Sequence, residues 1–335
     1  MPDLSTTWLG FPLKNPLVIG ASPVGKSIRS CLEAEEKGAA AIVLHSLFEE
    51  QLVHEQMGAH YYIDTLTDMD AETRSVFPQS AIFPLDGAAY LRHIEKLKQK
   101  LTIPLIASLN GTTPGGWLSY AKSMASAGCD ALELNLYEVA TDEQKSSQYL
   151  EDQQLEIVSS VISAVSIPVN VKLSPFYTSL PYFVRRLYEC GVQGVSVFNR
   201  YYQSDINPLT LEVDRHLHLS SSAELPLRLH ALAILSSKMG LFYACTGGIH
   251  SGYDMAKAIL AGAHVTQVVS AVLAKGFSVI EKFLQELKEY MLQMGYESIH
   301  EMRGVMNLSS VADPHSYERL NYAQMLAAWK LPLSP

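Results

Sequence analysis

The chain has 335 residues, 48% of them hydrophobic, and a formal net charge of −9. That length and apolar content allow a large buried core, while the acidic balance without any Lys/Arg block argues against a nucleic-acid surface. No run of 18 apolar residues is present, so no membrane span is expected, and the N-terminal residues lack a basic-then-apolar export signal, which points to the cytoplasm. Cys31, Cys129, Cys190 and Cys245 are far apart and form no Cys-x-x-Cys pair, a spacing that suits reduced thiols better than disulfides, zinc or an iron–sulfur cluster.

In chain order, apolar runs at 16–22, 39–46, 104–111, 131–137, 169–175, 194–199, 242–248 and 265–271 read as eight strands, apolar on both faces as buried parallel strands should be. Between them, 27–37, 115–127, 143–165 and 180–190 read as helices, and 277–294 as a further amphipathic helix. Four helices feed the next strand through a small-residue turn: Lys37-Gly38-Ala39, Ala127-Gly128-Cys129, Cys190-Gly191-Val192 and Ala261-Gly262-Ala263. A helix that stops and turns sharply into a strand needs Gly near its C-cap, so the repeat predicts successive β/α units. The expected fold is α/β, a TIM (β/α)8 barrel forming a single domain over 1–335. Two long excursions, 48–86 after strand two (with Tyr61, Tyr62, Phe77 and Phe83) and 200–225 after strand six, are expected to carry substrate specificity.

In such a barrel, catalysis sits where the strands end at the C-terminal rim. The polar residues there are Ser22, His45 with Ser46, Asn110, Asn135, Lys172, Asn199 and Thr246. Ser22 and Ser46 also suit a capping role. Lys172 stands inside the apolar strand VNVKL, where an ammonium group is costly unless paired. Either a negative ligand or a salt bridge to Glu133 on the neighbouring strand would satisfy it. Gly247 and Gly248, in the Thr-Gly-Gly-Ile turn after strand seven, let the backbone approach an anion closely and point N–H groups at it. A phosphorylated ligand is therefore expected.

Strand four, ALELNLYEVA (131–140), resembles the Glu-Leu-Asn-Leu-Ser-Cys-Pro-Asn segment of dihydroorotate dehydrogenases. VKLSP (171–175), the Asn ending strand six, CTGGIHSG (245–252), and AGAHVTQVVSAVLAKG through MGYESIHEMRG (261–304) are similar in order and spacing. The likeness spans essentially the whole chain. It is closer still to a dihydroorotate dehydrogenase-like subgroup, through Asn199-Arg200-Tyr201-Tyr202-Gln203. The resemblance implies an FMN oxidoreductase converting dihydroorotate to orotate in pyrimidine biosynthesis. Ala21 and Ser22 would lie along the isoalloxazine edge, and Asn135 and Lys172 at its pyrimidine side. Gly247, Gly248 and Ser270 would bind the phosphate. His45, Ser46, Asn110, Phe198 and Val269 complete the implied cofactor shell.

Departures gather at the substrate end. The resemblance puts Glu138 where the family's Cys or Ser base stands, and His45 where a Lys reaches both flavin and orotate. The family's Asn-Ser-Met-Gly-Leu-Pro-Asn loop has no counterpart around 74–84, Val269 replaces a Gly beside Ser270, and a Gly-Gly pair becomes Ser221-Ser222. His45, Asn135, Asn199 and Arg200 are the implied substrate contacts, Arg200 being able to clamp a carboxylate. A different small carboxylated or cyclic amide substrate, a non-redox barrel binding a phosphorylated metabolite, and a flavin-binding accessory protein without a base are the alternative readings. No dinucleotide fingerprint follows any strand, so NAD would require a partner subunit. A homodimer is the default assembly.

Overall fold

The computed structural model describes residues 1–48, 87–111, 114–200, 204–214 and 218–328. The chain begins with a hairpin, β1 (Thr6–Trp8) and β2 (Phe11–Leu13), paired antiparallel. Its two-residue turn has positive φ at Leu9 (52°) and Gly10 (84°), the handedness that suits a tight hairpin. Eight parallel strands follow: β3 (Leu17–Ile19), β4 (Ala41–Phe48), β5 (Leu105–Asn110), β6 (Ala131–Asn135), β7 (Val169–Leu173), β8 (Gly194–Val197), then β11 (Phe242–Thr246) and β12 (Val265–Val268). They close in that order, β12 pairing with β3. A second small hairpin, β9 (Asp205–Asn207) with β10 (Glu212–Asp214), interrupts the connection after β8.

The helices lie outside this barrel: α1 (Ile28–Glu36), α2 (Gly87–Lys98), α3 (Pro114–Ser126), α4 (Ser147–Ala164), α5 (Leu180–Glu189), α6 (Leu225–Leu235) and α7 (Gly252–Leu260). They are followed by α8 (Ser270–Lys275), α9 (Ser278–Met294), α10 (Ile299–Met302) and α11 (Arg319–Ala328). None among the described residues is long and apolar enough to cross a membrane. Side-chain caps fix several starts. The Ser27 side chain accepts from the Ser30 N–H, and the Ser146 side chain from that of Tyr149, so α4 begins later than its periodicity implies. All four helix-to-strand glycines have positive φ, from 93° at Gly128 to 116° at Gly262, as the turns demand. The β/α repeat read from the sequence is the fold.

The sequence reading of strands apolar on both faces needs correction. The outer faces carry Leu17, Ile42, Leu105, Leu132 and Val171 into the shell beneath the helices. The interior differs. Its lower end is a dry plug of Trp8, Leu9 and Leu13 from the hairpin against Val18, Ala41, Val43, Ile106 and Ala131. Above that plug the inner face is polar, with Ser108, Glu133, Asn170, Ser196 and Gln267 all fully or almost fully buried. The hairpin seals the barrel floor, so water and ligands enter from the opposite rim.

Candidate active site

Glu133 organises the middle of the barrel. Its Oε2 accepts from Asn170 Nδ2 at 3.1 Å, Ser196 Oγ at 3.2 Å and Gln267 Nε2 at 2.8 Å. β6 and β12 are not neighbours in the sheet, so the Glu133–Gln267 bond crosses the barrel interior. Three donors satisfy one oxygen of a carboxylate that is wholly buried, which such a charge requires. The other oxygen, Oε1, lies 3.7 Å from Lys172 Nζ, an ion pair too long for a hydrogen bond. Lys172 therefore has the Glu133 counter-ion that the sequence left as one of two options, and its side chain also lines the cavity above.

That cavity opens at the C-terminal rim. It is lined by Lys172 on β7, Phe198, Asn199 and Arg200 after β8, Gly247 and Gly248 after β11, Val269 and Ser270 after β12, and Ala21 and Ser22 after β3, five successive strands of the closed barrel. Asn199 Nδ2 donates to Asn135 Oδ1 at 2.8 Å, which ties the ends of β6 and β8 together across β7. Gly247 (φ 89°) and Gly248 (φ 80°) make a sharp turn whose outer side is packed solid: a Cβ on Gly248 would meet Leu225 N at 2.6 Å. Ser220 N donates to Ser270 Oγ at 3.1 Å, and Ser220 Oγ pairs with His250 Nε2 at 3.1 Å. The segment standing in for a Gly-Gly pair thus does pack beside the glycine turn, with Ser222 Oγ bonded to Asp254 at 2.8 Å.

Other expected site residues lie elsewhere. His45 faces outward: its ring sits edge-on to Tyr90, 5.0 Å between centroids, and 6.5 Å from His93, both on α2. The cause is a register shift in the β4–β5 pairing between Val43 and Ser46, which breaks the alternation of faces. Among the described residues neither His45 ring nitrogen has a partner within good hydrogen-bond geometry, and burial, helped by the nearby Lys26 and His93 against a weaker pull from the Gly25 backbone, pushes its pKa down to about 4. Ser46 bonds Ser108 Oγ at 2.7 Å, and Asn110 is buried at the end of β5; neither borders the cavity. Glu138 is exposed, facing Gln154 Nε2 at 3.5 Å in a separate cleft between the loops after β6 and β7. It is not among the residues around the cavity. The loop at 49–86, with the 74–84 segment, and Tyr201-Tyr202-Gln203 lie outside the described residues.

The family described as dihydroorotate dehydrogenase matches residues 81–291, from before α2 to within α9. The chain belongs to the dihydroorotate dehydrogenase family. It is 24% identical over 320 residues to the catalytic subunit of dihydroorotate dehydrogenase B (NAD(+)) of Pyrococcus abyssi, covering 90% of this chain and 98% of the relative. The corresponding Thermoplasma acidophilum protein is 25% identical over 316 residues, 91% of this chain and 99% of that one. A chloroplastic dihydropyrimidine dehydrogenase (NADP(+)) of Arabidopsis thaliana is 24% identical over 326 residues, 90% and 76% respectively. The family consists of flavin-dependent dehydrogenases acting on CH–CH bonds, typically with FMN.

The residues present fit such a cofactor. Ser22 Oγ and Gln267 Oε1 are buried, lack a partner among the described residues, and belong to residues lining the cavity. Such orphans ask for a polar ligand. Gln267 was missed in the sequence although it interrupts an apolar strand just as Lys172 does. Arg228, buried beneath the Gly247 turn, was also missed; a lone cation in the apolar helix LPLRLHALAIL was the available signal.

Proposed function

We propose that this protein is an FMN-dependent dehydrogenase that oxidises dihydroorotate to orotate. The observation that carries the reading is the hydrogen-bonded Asn135–Asn199 pair on a rim whose cavity is lined by Lys172 and Arg200. Two carboxamides offer donors and acceptors suited to a cyclic amide, and Arg200 offers a forked cation suited to its carboxylate. Ala21, Ser22 and Phe198 would hold the isoalloxazine, Lys172 and Asn135 its pyrimidine side, and Gly247, Gly248 and Ser270 the phosphate. Bound there, FMN supplies the two-electron acceptor that no side chain provides. Lys172 contributes a positive charge, kept in place by Glu133, where negative charge develops.

The relatives named for dihydropyrimidines support a second reading, a cyclic amide without the carboxylate. Anaerobic mixing of the flavoprotein with dihydroorotate and, separately, dihydrouracil distinguishes the two. Bleaching of the flavin by dihydroorotate is expected. Flavin that stays oxidised with dihydroorotate yet bleaches with dithionite refutes the substrate assignment. A colourless protein that does not take up added FMN refutes the cofactor as well.

A further inference from the structure

A second polar cleft, of about 270 Å3, lies at the opposite end of the barrel from the mouth. Phe242 opens β11 and His264 immediately precedes β12, so this cleft sits at the N-terminal ends of those two strands. None of its lining residues is acidic. Arg303, directly after α10, brings a partly buried guanidinium that has no ion pair or hydrogen bond among the described residues. Burial disfavours its charged form, and its charge in turn helps to lower the His264 pKa, so the two side chains feel one another.

The other polar groups of the cleft have their acceptors committed elsewhere. His264 Nδ1 accepts from the Tyr243 N–H at 3.1 Å, so the proton of the neutral ring sits on Nε2. Asn307 Oδ1 accepts from the N–H groups of Ser309 at 3.1 Å and Ser310 at 3.0 Å and from Ser309 Oγ at 2.9 Å. That orientation leaves Asn307 Nδ2 as a pure donor with no acceptor among the described residues. The Gly240 and Leu241 N–H groups, in the same lining, have no backbone acceptor among the described residues either. The Arg303 segment is held in place: the Gly304 N–H donates to the Ile259 carbonyl at 3.0 Å, that of Met306 to Leu260 at 2.9 Å, and that of Leu308 to Ala233 at 2.9 Å.

A cleft rich in fixed donors, with one cation and no carboxylate, suits an anion. Its donors come from three separate stretches of chain, which matches a tetrahedral oxyanion better than a planar carboxylate. The cleft also reaches Met239, an apolar surface for the organic part of an ester. We propose that this cleft is a binding site for a phosphate monoester, with Arg303 pairing the anion and His264 Nε2 and Asn307 Nδ2 donating to it. The site is separate from the mouth, and the proposal does not rest on the FMN reading.

The test titrates the full chain by calorimetry with phenyl phosphate and, at matched ionic strength, with benzoate, which share the ring and differ in the anion. FMN in excess is present throughout, so that a flavin-binding mouth is already filled. Wild-type protein should bind phenyl phosphate more tightly than benzoate. Arg303→Met should weaken phenyl phosphate binding by about tenfold or more, as loss of a hydrogen-bonded charge implies. Asn307→Asp keeps the acceptor for Ser309 and Ser310 while replacing the Nδ2 donor by a carboxylate oxygen, and should weaken binding at least as much. That result is readable even if Arg303→Met does not fold. Wild-type protein that ignores phenyl phosphate, benzoate bound equally well, or undiminished binding in Asn307→Asp would overturn the proposal. Failure of FMN to bind would leave these outcomes readable and count only against the cofactor.

Discussion

Replacing Glu133 by Gln removes the counter-ion of Lys172 without changing the shape of the barrel interior. The Lys172 side chain is 9% exposed and Glu133 wholly buried, and Glu133 is its ion-pair partner among the described residues. Breaking a buried pair from one side costs about 3–5 kcal/mol. Lys172 borders the cavity, where water reaches it, so the lower figure, about 3 kcal/mol, is expected here. Lys172→Met should cost less, about 1–2 kcal/mol, because Asn170, Ser196 and Gln267 still satisfy Glu133 Oε2. The double variant should then be no worse than Lys172→Met, which gives a coupling of about 2 kcal/mol or more. Urea denaturation of the four proteins measures it. A Glu133→Gln protein within about 0.5 kcal/mol of wild type, or additive losses, would refute the argument that this carboxylate holds the rim cation.

Three further outcomes follow from the same geometry. Gly248→Ala should cost about 2 kcal/mol or more and weaken FMN binding, since its φ is 80° and the added methyl meets the Leu225 backbone. Gly128→Ala, with φ 93° but open space, should lose only the conformational share, and equal losses in the two would contradict the packing. His45 and His264 have pKa values lowered to about 4 and about 3, chiefly by burial, so each is neutral when folded and takes up a proton below about 6.5 when unfolded. Their stability is intact above about pH 6.5 and lost as pH falls toward those values, about 2 kcal/mol each at pH 5. Denaturation midpoints that stay flat between pH 7.5 and 5 would show that these rings are not buried neutral. Glu138→Gln should slow substrate-driven flavin reduction by less than about tenfold, because the exposed carboxylate faces Gln154 and not the cavity. Abolished reduction would show that this loop turns inward during turnover.

The barrel was legible because its signals are local. Buried strands and positive-φ glycines at Gly38, Gly128, Gly191 and Gly262 repeat along the chain with no need of tertiary information. The floor was not: strands of three residues such as Thr6–Trp8 carry too little pattern to stand out. The polar interior escaped for another reason. Glu133, Asn170, Ser196 and Gln267 are scattered through four different, mostly apolar strands, and only closure shows that they face one another. At the site, Lys172, Asn199 and Gly247 follow from strand ends. His45 fails because the shift between Val43 and Ser46 moves the face by one residue, a change that period-two reasoning cannot see.

The electrostatics of the mouth also have to be local. The chain carries a net charge of −9, so its long-range field disfavours an anionic ligand. Near physiological salt that field fades over about 8 Å, whereas groups inside a partly desolvated cavity are screened far less. Lys172 is held by Glu133 at the barrel centre, and Arg200 and Arg228 share Glu224 at the turn. Glu133 lies deeper than Lys172, whereas Glu224 is more exposed than the two arginines it pairs with. An anion at the mouth would therefore meet these local ion pairs before it met the field of the whole chain.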